Sequence, residues 1–71
     1  MNNKVEELRK AMGLRQEELA KAISVSRQTI SSIETGKYNP SLELAFVLSD
    51  FFDRPIEEIF IHERSQPHEE E

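Results

Sequence analysis

Arg27 and Gln28 stand side by side at the start of a segment whose outward residues can all form hydrogen bonds. A guanidinium forks onto the O6 and N7 of guanine, and a carboxamide onto the N6 and N7 of adenine. Stepping about 100° per residue along a helix, Gln28, Ser31, Ser32 and Thr35 lie on one side. Ile30 and Ile33 lie on the other, with Arg27 and Thr29 on the flanks. A helix with a narrow isoleucine stripe and an outer face of such groups requires a polar partner. The residue types present fit the major groove of duplex DNA.

Such a face is useful only if something holds it rigidly, and the preceding residues supply that support. Leu19, Ala20 and Ile23 make one apolar face of a helix over 16–23, and Val25 fills the turn that follows. Ala20 is small where the two helix axes must cross closely. Ser26 is the cap of the next helix, which runs to Thr35 and stops at Gly36. Upstream, Asn3 is a candidate cap with Glu6 three residues on, and Val5, Leu8, Ala11 and Met12 form the stripe of a first helix ended by Gly13. Lys37, Tyr38, Asn39 and Pro40 form a loop, since Asn-Pro disfavours helix. Ser41 caps a fourth helix with Leu44, Ala45, Leu48, Phe51 and Phe52 inward, and Pro55 opens a fifth through Ile59. The expected fold is all-α, a compact five-helix unit over 1–62 with the helix-turn-helix at 16–35. Phe60 and Ile61 are free to continue as a short extended segment. Residues 63–71 have little to bury and form an acidic tail expected to be disordered.

Length and charge narrow the possibilities. Seventy-one residues make one domain, and so short a chain buries only about 60% of its unfolded surface. With no cysteine there is no disulfide framework, thiolate metal site or redox thiol. The first ten residues lack an apolar signal core, and no apolar run approaches about 18 residues, so a cytoplasmic protein is expected. The net charge of −5 is unusual for a nucleic-acid partner, but it is unevenly distributed. Residues 1–40 hold seven basic and five acidic side chains, a balance of +2; residues 41–71 hold two and nine, a balance of −7. One face can therefore still meet phosphate.

Other chemistries find little support. His62 and His68 sit six apart in a polar segment with no third ligand at metal spacing, and they read as solvated side chains. No nucleophile–base constellation or glycine-rich phosphate loop is present, so neither enzymatic activity nor a cofactor nor a small-molecule ligand is expected.

The segments LRQEELA (14–20), VSRQTI (25–30), IETGKYNPSL (33–42) and IEEIF (56–60) resemble the helix-turn-helix domains of the lambda-repressor and Cro type, the xenobiotic-response-element regulators. The resemblance runs from about Val5 to Ile61 and matches a minimal stand-alone member. It implies base contacts from Arg27, Gln28, Ser31 and Ser32. It implies phosphate contacts from Gln16, which also braces the reading helix, and from Lys37, Tyr38 and Asn39, with Arg15 and Thr29 beside them. It also implies an ion pair between Arg9 and Glu34. Two positions depart from the family pattern. Ser24 stands where glycine is common, at a left-handed turn residue, at a cost of roughly 1 kcal/mol. Arg15 replaces a Ser or Thr cap, losing about 1 kcal/mol of capping but placing a cation where a duplex backbone would pass.

Apolar residues remain in surplus: Leu42, Phe46, Val47, Ile56, Phe60 and Ile61 exceed what one small core uses. A homodimer interface is expected from Ile56, Ile59, Phe60 and Ile61, flanked by Phe46 and Val47. It forms by helix packing or by pairing of the 60–61 segment with its symmetry mate. The expected function is a sequence-specific transcriptional repressor acting as a homodimer on a palindromic operator in double-stranded DNA. The competing expectation is an antitoxin or adaptor module whose acidic second half faces a basic protein.

Overall fold

The computed structural model describes residues 2–61. The elements run β1 (Asn2–Asn3), α1 (Val5–Ala11), α2 (Gln16–Ala22), α3 (Arg27–Glu34), α4 (Leu42–Phe52), α5 (Ile56–Ile59) and β2 (Phe60–Ile61). The five helices follow the apolar spacing, and a two-stranded antiparallel ladder is added to them. The tail expected over 63–71 and both histidines lie outside the described residues.

Local chemistry sets the helix starts. The Ser26 and Ser41 hydroxyls accept from the amides of Thr29 (3.1 Å) and Leu44 (3.2 Å), capping α3 and α4. At α2 the capping residue is Arg15, whose guanidinium has no acceptor to offer. Half of a capping box survives there, because the Glu18 carboxylate accepts from the Arg15 amide at 2.7 Å. Ser24 does adopt the left-handed conformation, with φ +63°. It reverses the chain between α2 and α3, and the amide of Val25 closes the turn on the Ala20 carbonyl at 2.9 Å.

Helix α1 departs from its expected pattern at both ends. Its cap position is Lys4, and Asn3 lies in an extended strand; Glu6 forms no capping box but pairs with Lys10 at 2.9 Å. That hydrogen bond holds the Glu6 carboxyl below its ordinary pKa. Ala11 and Met12 are exposed, and the inward residues are Val5, Leu8 and Arg9. The charged Arg9 takes a core-facing position because a buried carboxylate meets it there. Apolar periodicity cannot register a paired charge.

The core is built on Val5, Leu19, Ile30, Ile33, Leu48 and Ile59, all fully buried, and closed by Ala20, Ala45, Phe52 and Phe60. An eight-residue helix such as α3 is unstable alone in water. Burial of Ile30 and Ile33, worth about 1.5–3 kcal/mol each, therefore both forms α3 and fixes which face it turns outward.

The C-terminal segment corrects the expected dimer surface. Asp53 ends α4 in a left-handed conformation, φ +55°, and turns the chain back. The amide of Lys4 then donates to the Ile59 carbonyl at 2.7 Å, and the ladder pairs Asn2 with Ile61 and Asn3 with Phe60. These bonds press Ile59 and Phe60 into the protomer's own core, so neither offers a side chain to a dimer face. Ile56 packs half-buried against the same core. The 60–61 strand pairs with Asn2 and Asn3 of its own chain. Leu42, Phe46, Val47 and Ile61 remain exposed.

Candidate nucleic-acid interface

The N-terminal turn of α3 carries Arg27 and Gln28, both fully outward, while Ile30 and Ile33 anchor its inner side. Thr29 is half-buried on its flank, and Ser31 and Ser32 are half-buried too, less outward than a helical projection places them. The Thr29 hydroxyl lies 2.9 Å from that of Ser26, within the cap itself. The backbone carbonyl of Ser32 receives the amides of Lys37 (3.1 Å) and Tyr38 (3.2 Å) and the hydroxyl of Thr35 (3.1 Å). These bonds close α3 over Gly36, whose φ of +81° requires a residue without Cβ strain. Lys37, Tyr38 and Asn39 consequently leave the helix as an exposed loop.

Behind α3 lies a buried polar network. Arg9 Nε donates to Glu34 Oε2 at 2.7 Å and Nη2 to Oε1 at 3.2 Å, a forked ion pair with both side chains more than nine-tenths buried. The third guanidinium arm, Nη1, donates to the Leu14 carbonyl at 2.6 Å, in the loop between α1 and α2. The bond to Glu34 raises the Arg9 pKa above its ordinary value against the opposing cost of burial. One arginine thus ties α1, the loop before α2, and the end of α3. Gln16 joins the same network. Its Nε2 donates to Glu34 Oε1 at 2.9 Å, and its Oε1 accepts from Arg27 Nη1 at 3.3 Å.

The surface over this network is a recess lined by Arg9, Arg15, Gln16, Glu17 and Arg27. With Arg9 neutralised by Glu34, the guanidinium groups of Arg15 and Arg27 beside the Glu17 carboxylate make it a setting for an anion such as a backbone phosphate. Arg15 is exposed there, its Nε 4.0 Å from Glu18. The tertiary structure therefore gathers Arg9, Arg15, Gln16, Arg27 and Glu34 into one cluster. Lys37, Tyr38 and Asn39 stand apart from it, past the other end of α3. Among the described residues no group of histidine, cysteine, aspartate and glutamate is placed to hold a metal. No helix there is long and apolar enough to cross a membrane.

The brace that the resemblance implies for Gln16 is made to Glu34, eighteen residues on in the chain. A support with no signal in the sequence is Asn3, whose Nδ2 donates to the Ile33 carbonyl at 2.8 Å.

A family model described as helix-turn-helix matches residues 5–59. The chain is 56% identical over 63 residues to an uncharacterized HTH-type transcriptional regulator of Methanocaldococcus jannaschii, covering 89% of this chain and 96% of that one. It is 45% identical over 60 residues to the uncharacterized HTH-type transcriptional regulator YgzD of Bacillus subtilis, covering 84% and 91%. Identity is 41% over 58 residues to the HTH-type transcriptional activator BcrR of Enterococcus faecalis, covering 82% of this chain but 28% of that protein. With the two helices, the turn between them and the buried ion pair all in place, the chain belongs to the helix-turn-helix family of the lambda-repressor and Cro type.

Proposed function

We propose that this protein is a transcriptional regulator that binds double-stranded DNA and reads the major groove with α3. The observation that carries this reading is the outward Arg27–Gln28 pair at the start of a helix locked from behind by Ile30 and Ile33. Arg27 and Gln28 take base edges, with Ser31 and Ser32 beside them for water-mediated or close contacts. Arg15, Gln16 and Thr29 meet phosphate on one side of the helix, and Lys37, Tyr38 and Asn39 on the other. Regulators named in this family support the assignment to transcription. Repression follows when the bound site overlaps a promoter.

One recognition helix reads only a few base pairs, so a homodimer on a two-fold-related site gives useful specificity. The exposed apolar side chains Phe46, Val47 and Ile61, with half-buried Ile56, are the surface for that dimer. The same exposed residues, with Leu42, favour a second reading as an interaction module for another protein.

Selection of bound duplexes from a random pool, followed by titration at several salt concentrations, separates the two. A DNA-reading protein enriches a defined, palindromic sequence. Its affinity falls steeply between about 50 and 200 mM salt as counterions are released. Failure to enrich any sequence removes the reading of α3 as a base reader.

A further inference from the structure

Gln16 lies between two groups that make opposite demands on it. A carboxamide has a donor end and an acceptor end, a carboxylate only accepts, and a guanidinium only donates. Glu34 is such an acceptor, gripped at both oxygens by Arg9, and it takes Gln16 Nε2 at 2.9 Å. Arg27 is the donor, and its Nη1 meets Gln16 Oε1 at 3.3 Å. Only one orientation of the amide satisfies both neighbours. The flipped amide sets oxygen against oxygen at Glu34 and N–H against N–H at Arg27.

We infer that Glu34 is a positioning residue for base reading: through the oriented amide of Gln16 it holds the guanidinium of Arg27 at the mouth of α3. An exposed arginine otherwise samples many rotamers, and ordering it only on contact weakens and blurs recognition. With a single N–H of Nη1 committed to Gln16, the remaining N–H groups stay available for a forked contact with a base. The hold begins in the buried Arg9–Glu34 pair and ends in the recess on the outer surface, so a core interaction sets the aim of a surface side chain. The inference rests on the proposed reading of α3.

The test uses the full chain and two duplexes: one selected by the wild-type protein, and the same duplex changed at the base pair whose preference is lost in Arg27→Ala. Glu34→Gln gives position 34 an N–H that allows the Gln16 amide to turn over. It should lower discrimination at that one base pair by about three- to tenfold, the scale of one net hydrogen bond. Discrimination at other pairs should hold, and in an Arg27→Ala background Glu34→Gln should cost nothing more there. Adding Gln16→Glu to Glu34→Gln restores the alternation of donors and acceptors and should recover the ratio, whatever happens to overall affinity. A Glu34→Gln protein that loses affinity for both duplexes equally has lost only stability, and the inference falls. If that variant does not fold, the order of the Arg27 Nε–H group measured by NMR without DNA decides between wild type and Gln16→Met. Greater mobility in Gln16→Met supports the hold; equal mobility overturns it. A wild-type protein with no base preference overturns the proposed function, while the DNA-free measurement still decides whether the hold exists.

Discussion

The side chain of Asn3 joins the two ends of the described fold to α3: Nδ2 donates to the carbonyl of Ile33 at 2.8 Å while Asn3 pairs with Phe60 in the ladder. Its Oδ1 also accepts from the Val5 amide at 3.1 Å. One residue therefore satisfies a carbonyl in the last turn of α3, starts α1, and holds the N-terminal strand on β2.

Asn3→Ala removes both side-chain bonds, to the Ile33 carbonyl and from the Val5 amide, while the Gly36 amide still donates to Ile33 at 3.0 Å. The expected loss is about 1–3 kcal/mol of unfolding free energy, measured by urea denaturation. Base preference should be unchanged, since the reading end of α3 lies at the opposite terminus.

Arg9 and Glu34 should behave as a coupled buried pair. Arg9→Met alone leaves the buried Glu34 carboxylate uncompensated, with only the Gln16 amide to meet it, and should cost about 3–5 kcal/mol. Arg9→Met combined with Glu34→Leu should recover most of that loss. A double-mutant cycle by chemical denaturation checks it, and additive losses would show that the two groups do not interact.

Ser24→Gly should stabilise the protein by about 1 kcal/mol, because the left-handed conformation at φ +63° strains a residue bearing a Cβ. Thermal denaturation measures the shift. A lower melting temperature would mean that the serine side chain contributes more than its backbone costs.

Arg27→Ala and Gln28→Ala should keep the fold and lose discrimination between selected and random duplexes, by about 1–3 kcal/mol each. Lys37→Ala and Arg15→Ala should instead weaken binding to every duplex alike. Each should flatten the plot of log affinity against log salt by about one unit. An unchanged slope places that cation away from the backbone.

Phe60→Lys and Ile61→Lys should behave differently. Phe60 is buried in the protomer, so a lysine there should abolish folding; Ile61 is exposed, so its variant should fold. Sedimentation of Ile61→Lys tests the proposed dimer surface. A variant that associates as tightly as the wild type removes Ile61 from it.

What the sequence alone determined is what depends on neighbours within one or two turns. Ser26 and Ser41 act as caps because hydroxyl and acceptor amide lie three residues apart, and Ser24 turns left-handed at the place the pattern marks. Leu19, Ile30 and Ile33 declare their inward faces by period, and Arg27 and Gln28 follow outward by elimination. The tertiary structure decided whatever required distant segments to meet. Asn3 meets the first amide of α1 with its side chain, and the arrival of Phe60 beside it also made it part of a strand. Ile59 and Phe60 were apolar on any reading, but only closure of the chain onto β1 put them in the core rather than on a partner. Arg9 took an inward position against its charge because Glu34, twenty-five residues on, arrived to meet it, and Gln16 was oriented by the same carboxylate. Periodicity reports which faces are apolar. It carries no information on which distant group will cover a face or satisfy a charge.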